Sequence, residues 1–194
     1  MSFGMNPFDA WTNNASGSSS VPSVFGALPY PSDPAYANMV NFFFTSFNPN
    51  ILNCTVVGAQ NRPYFTIVTD SQMAGYTVIK NSSGNKVSLI EWQSRPMIEI
   101  RDVLQKQYIR SWLALNSDKS SRTMTIRGMQ YTWAPRDKAI NLYAAGARQP
   151  TLLARVTRGN GGLTLSMTPD AMQMGLLDTV VSATFLLQCG RNID

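Results

Sequence analysis

The sequence contains no histidine, and that absence narrows its chemistry more than any residue it holds. Without histidine there is no Ser-His-Asp or Cys-His relay and no HExxH zinc site. Glutamate is confined to Glu91 and Glu99. Both lie in apolar-rich segments, where they read as outward residues of two strands; the other reading is a carboxylate pair for acid–base work. No Walker A loop and no GxGxxG is present. Gly159-Asn-Gly-Gly162 is glycine-rich, but it separates two strand-like runs and reads as a hairpin turn. Together these absences point to a binding protein and away from an enzyme.

Charge is also scarce, at 14% of residues, well under the usual quarter. The only cysteines, Cys54 and Cys189, sit in apolar surroundings that favour buried free thiols, although a disulfide between them is open. No apolar run reaches the ~20 residues of a membrane helix. The first residues have neither a basic start nor an apolar core of the signal-peptide kind. A cytoplasmic location is the resulting expectation.

What is present divides into two regions. Residues 1–37 carry a Ser/Gly-rich stretch and Pro22, Pro29, Pro31 and Pro34, which deny regular structure. They also carry Phe3, Phe8, Trp11, Phe25 and Tyr30, too many aromatics for a purely solvated tail. The segment reads as an extended strap, partly disordered or docked on residues 38–194. From Val40 onward, short runs alternate apolar and polar residues, as in Leu163-Thr-Leu-Ser-Met167, with turn residues between them. Val103 to Leu115 fits either one short helix or a pair of strands. After Met167 the pattern changes. Thr168 can cap a helix with Pro169 at its first position and Asp170 near the positive end of its dipole. The residues up to Gln188 then offer no charged face; Asp178 and Gln188 are the main polar exceptions. A helix apolar all round must be buried all round, although Val180 to Leu187 could also form a strand. The expected fold is mainly β: a closed antiparallel barrel of about twelve strands around a buried C-terminal apolar helix within Pro169 to Gln188.

This order resembles the superfamily of tubby, LURP-one-related proteins and phospholipid scramblases. The segments Arg122–Trp133 (RTMTIRGMQYTW), Leu152–Val156 (LLARV) and Leu177–Phe185 (LDTVVSATF) look most like a fungal branch of uncharacterised domains in that superfamily. The likeness covers roughly residues 38 to 192 and rests on packing patterns, so it implies a fold more than an activity. That branch includes a chromoprotein with a non-covalent polyene pigment, and the resemblance therefore implies a polyene-type chromophore as cofactor.

The residues offer two kinds of site. Ten methionines is a high count, and thioethers suit a long apolar ligand. Met73, Trp92, Met97, Met124, Trp133, Met167, Met172 and Phe185, with Trp11 from the strap, are the candidate ligand-binding set; plain core filling is the competing reading. A divalent cation could join the ligand's polar end, but no metal motif is present. Residues 119–158 hold eight basic residues against one acid, Asp137. Arg122, Arg127 and Arg136 are the candidate anion-binding residues. Tubby-type barrels bind phosphoinositides through a basic outer face, so a peripheral anionic-lipid binder or scramblase-like protein is the alternative function. The bland reading is a solvated face. Nucleic acid is not an expected partner, because Tyr131 and Trp133 share a strand face where burial is expected.

Overall fold

The computed structural model describes residues 38–70, 75–145, 150–159 and 162–194. The expected strap, residues 1–37, lies outside them. The described chain is dominated by strands: β1 (Val40–Thr45), β2 (Cys54–Val57), β3 (Pro63–Thr69), β4 (Tyr76–Asn81), β5 (Lys86–Glu91), β6 (Met97–Ile100), β7 (Leu104–Tyr108), β8 (Leu113–Leu115), β9 (Arg122–Ile126), β10 (Met129–Arg136), β11 (Ala139–Ala144), β12 (Thr151–Gly159) and β13 (Gly162–Met167). The α-helices among the described residues are α1 (Ile109–Trp112), α2 (Pro169–Gln173) and α3 (Leu177–Gln188).

All the strands join one antiparallel sheet of thirteen, in the order β7-β6-β5-β4-β3-β2-β1-β13-β12-β11-β10-β9-β8. Neighbours in the sheet are consecutive in sequence except where β1 pairs with β13. The count is close to the expected twelve. Closure differs: among the described residues no ladder joins β7 to β8. These outermost strands are instead consecutive in the chain, linked by α1. The Val103 to Leu115 ambiguity thus resolves as both readings at once, a strand, one helical turn and a strand.

Alternation decides which face each strand buries. In β13 and β6 every second residue is buried. In β9 the buried residues are Arg122, Met124 and Ile126. The buried sides of the strands, among them Phe42, Ile79, Ile90, Trp133 and Leu165, form one apolar cluster with Val180, Val181, Ala183 and Phe185 of α3. Each fully buried side chain of this size contributes ~1.5–3 kcal/mol of transfer free energy.

The C-terminal turn-to-helix signal holds. Thr168 Oγ1 accepts a 3.2 Å hydrogen bond from the Ala171 N–H, with Pro169 at the start and Asp170 in the first turn. The expected single helix is broken, however, because Gly175 adopts φ +68° between α2 and α3. That left-handed conformation is inexpensive only for glycine. Beyond the break, every residue from Thr179 to Gln188 is buried, as an all-apolar helix requires. Ser182 fixes α3 to the sheet: its hydroxyl donates to the Asp178 carbonyl at 2.7 Å and lies 2.6 Å from Ser88 Oγ of β5.

Candidate functional site

The C-terminal end of α3 emerges at one end of the sheet, beside the β1–β2 loop and the turn end of the β12–β13 hairpin. Between them lies a hollow of about 530 Å³, whose lining includes Phe47, Ile51, Arg158, Leu163, Gln188 and Cys189. The loop is held in place by its own polar groups. Asn50 Oδ1 accepts from the Leu52 N–H at 3.0 Å, and Asn53 Oδ1 accepts from the Thr69 N–H at 2.9 Å. On the other wall, a Cβ at Gly162 would lie 3.1 Å from the Phe44 carbonyl oxygen, so glycine permits the close approach of β13 to β1.

Gln188 is 3% exposed. Its Nε2 donates to the Leu187 carbonyl at 3.2 Å, while its Oε1 has no hydrogen-bond partner. The opposite amide orientation would set Oε1 against that carbonyl, so the unpaired atom is an acceptor. A buried acceptor left without a donor costs ~1–3 kcal/mol. The neighbouring Cys189 thiol donates to the Leu186 carbonyl at 3.3 Å, and burial pushes its pKa up to about 11. Burial likewise pushes Cys54 up to about 12. Both cysteines are free and protonated at neutral pH, so neither is an activated nucleophile.

The residues after α3 cross the same end of the sheet. Gly190 lines the hollow. The Arg191 guanidinium lies 4.7 Å from the centre of the Trp92 ring. Ile193 is buried. Asp194 receives paired hydrogen bonds from Arg122 Nη1 and Nη2 at 2.8 and 2.7 Å. Trp92 in turn begins a relay of hydroxyls. Its Nε1 donates to Thr77 Oγ1 at 2.7 Å, Thr77 and Thr69 share a 2.7 Å contact, and Thr69 donates to the Leu52 carbonyl at 2.8 Å. Each hydroxyl both donates and accepts, which polarises and strengthens the chain.

The candidate residues named from sequence scatter. Met124, Trp133, Met167 and Phe185 are fully buried in the common core. Trp133 Nε1 even donates to Met124 Sδ, at 3.4 Å. Trp92 is half-buried and packs 6.4 Å from Phe185, centre to centre. Met97 is half-buried in β6, opposite Glu91, and Met172 is half-buried in α2. None of these lines the hollow at the end of α3. Met73 and Trp11 lie outside the described residues. Of the residues that do line it, the sequence marked Gln188 as a polar residue in an apolar helix, Cys189 as a thiol in apolar surroundings and Gly159 and Gly162 as a hairpin turn, but none as ligand-binding.

The three arginines also part company. Arg122 is 2% exposed, on the buried side of β9, and donates to the Leu113 carbonyl at 3.0 Å as well as to Asp194. Arg127 and Arg136 are exposed, one before β10 and one at its end. Eight residues of strand separate their positions by roughly 25 Å at ~3.3 Å per residue. No shared anion-binding face results from these three. The glutamates are diagonal neighbours on one face of β5 and β6, but each pairs with its own lysine: Glu99 lies 3.9 Å from Lys86, while Glu91 is buried and paired with Lys106 at 2.6 Å. Glu91 sits on the face of β5 opposite Ser88, but Lys106 and its neighbours cover it, so it is not solvated as a bare outward residue would be. Among the described residues no group of three or more Cys, Asp or Glu side chains is placed to hold a metal ion, and no helix is long and apolar enough to cross a membrane.

Residues 49–192 match the profile of DUF6593, a family of unknown function. The chain belongs to that family. The DUF6593 match begins in the β1–β2 loop that walls the hollow and runs into the segment crossing it. No protein of curated function matches the chain. It is similar to a protein of Arabidopsis thaliana known from an X-ray structure, at 10% identity, covering 78% of this chain and 96% of that one, with a TM-score of 0.42.

Proposed function

We propose that this DUF6593 protein is a non-enzymatic binding protein that holds an apolar small molecule, without a covalent bond, in the hollow at the end of α3. The observation that carries the proposal is the hollow walled by Phe47, Ile51 and Leu163, with Gln188, whose buried Oε1 has no hydrogen-bond partner, among its lining residues. Apolar walls with a few placed polar groups are the usual make-up of a small-molecule site, and about 530 Å³ is within the ordinary range. The ligand class follows from that lining. Its body is apolar, an elongated polyene-type chromophore being the case implied by the family resemblance. An O–H or N–H on the ligand, where it has one, pairs with Gln188. The same reading has the sheet curling around α3 as a barrel, with α1 bridging the seam between β7 and β8. What supports it is the burial of α3 from Thr179 to Gln188 and the sequence adjacency of the two outermost strands.

The test is a titration of the purified protein with conjugated apolar ligands, followed by absorbance or fluorescence. Wild type binds, and Gln188→Leu keeps the fold while weakening binding of ligands with a donor head about tenfold, the loss of one buried hydrogen bond. Leu163→Asp abolishes binding. Equal affinity in all three proteins contradicts the assignment of the site.

A further inference from the structure

An arginine pointing into an apolar core is costly unless its whole fork is satisfied. The two Nη atoms of Arg122 are satisfied, by the Leu113 carbonyl at 3.0 Å and by the Asp194 carboxylate at 2.8 and 2.7 Å. The two halves of this pair are built differently. The Arg122 side chain is 3% exposed and set in a strand; the Asp194 side chain is 43% exposed and set in residues 189–194, which form neither strand nor helix. The receptor is fixed, whereas the carboxylate reaches it from the solvent side.

We propose that Arg122 is a carboxylate-binding site occupied in this structure by the chain's own Asp194, and that residues 189–194 are displaced when a ligand bearing a carboxylate binds. The inference rests on the reading of the hollow as a ligand site and names the ligand's head group: an apolar small molecule ending in a carboxylate. Geometry connects the two places. Gln188, Cys189 and Gly190 line the hollow, Arg191 lies on Trp92, and Asp194 ends on Arg122, so the segment runs from one to the other. The exchange conserves charge. A ligand carboxylate takes over the paired hydrogen bonds of the guanidinium, for which a planar carboxylate is the matching partner. Asp194, already half in water, becomes fully solvated. Release of Arg191 from Trp92 and of Ile193 from the core opens the end of the sheet at the same time.

The experiment uses the full chain with parinaric acid, a fluorescent conjugated fatty acid, and its methyl ester, which has the same apolar body and no charge. Wild type binds the acid more tightly than the ester. Asp194→Asn, which removes the competing charge, tightens the acid about tenfold and leaves the ester unchanged. Arg122→Met removes the preference for the acid. In wild type the acid, and not the ester, speeds alkylation of Cys189. Should either variant fail to fold, the wild-type comparison of acid with ester, and its effect on Cys189, decides alone. Ester and acid binding equally in wild type, with no change in Cys189 reactivity, overturns this proposal and leaves the ligand site standing. Binding of neither overturns both.

Discussion

Ser88 of β5 and Ser182 of α3, ninety-four residues apart in the chain, meet at 2.6 Å inside the core. Because Ser182 spends its proton on the Asp178 carbonyl at 2.7 Å, Ser88 is the donor between them. The pair is therefore asymmetric. Ser182→Ala leaves the Ser88 hydroxyl buried without an acceptor and should cost ~1–3 kcal/mol. Ser88→Ala leaves Ser182 still bonded to Asp178 and should cost only ~0.5–1.5 kcal/mol. Urea melts of the single variants and the double variant measure this directly; the double should cost less than the sum.

The absence of any exposed face on α3 gives a harsher expectation. Val181 and Phe185 are both 0% exposed. Val181→Asp or Phe185→Asp would bury a charge with no partner and should cost at least ~3 kcal/mol. Phe185→Leu should cost less and keep the fold. Circular dichroism and thermal melting distinguish the two classes, and stable aspartate variants at both positions would contradict the burial of α3.

Asp178, in the first turn of α3, gives a dependence on pH. Burial holds its carboxyl above the usual value. The folded protein therefore favours the protonated form. Its contribution to stability is fully present below the ordinary carboxylate pKa of ~3.9 and is lost as pH rises through the raised value. Asp178→Asn removes that loss, so the variant should gain on wild type between acid and neutral pH. Denaturant melts across that range should show the gap opening; a constant gap would exclude the carboxyl as its source.

Arg127 and Gly128 take φ +49° and +79° between Ile126 and Met129, the two-residue hairpin turn that needs both central residues left-handed. Asparagine suits the first of these positions better than arginine. Arg127→Asn should stabilise the fold by up to ~1 kcal/mol. A fall in melting temperature would mean that the arginine contributes a contact that outweighs its backbone strain.

The strands and the C-terminal helix were legible in the sequence because alternation and capping are local signals. Thr168, Pro169 and Asp170 specify where α2 starts without any tertiary help. The break at Gly175 was not legible, since a glycine within an apolar helical run fixes no backbone angle by itself. Arg122 carries a sharper lesson. Its spacing from Met124 and Ile126 already put it on their side of β9, yet its charge argued for the outside. Its compensating partner, Asp194, lies seventy-two residues away and only the fold brings it near. The candidate methionines and aromatics follow the same logic: alternation sorted Met124, Trp133 and Met167 to the buried side, but it cannot tell a wall of a cavity from a filled core. Gln188 was noticeable as a polar residue in an apolar helix; Phe47, Arg158 and Leu163 join it only through sheet register.

The most direct test of a ligand-holding protein is the mass of the intact molecule isolated from its own source. Native mass spectrometry should show the chain with a small molecule attached, and denaturation in organic solvent should return the bare chain mass together with a free apolar compound. A native mass equal to the bare chain, or a compound that stays attached to a peptide after denaturation, would contradict non-covalent binding at the end of α3.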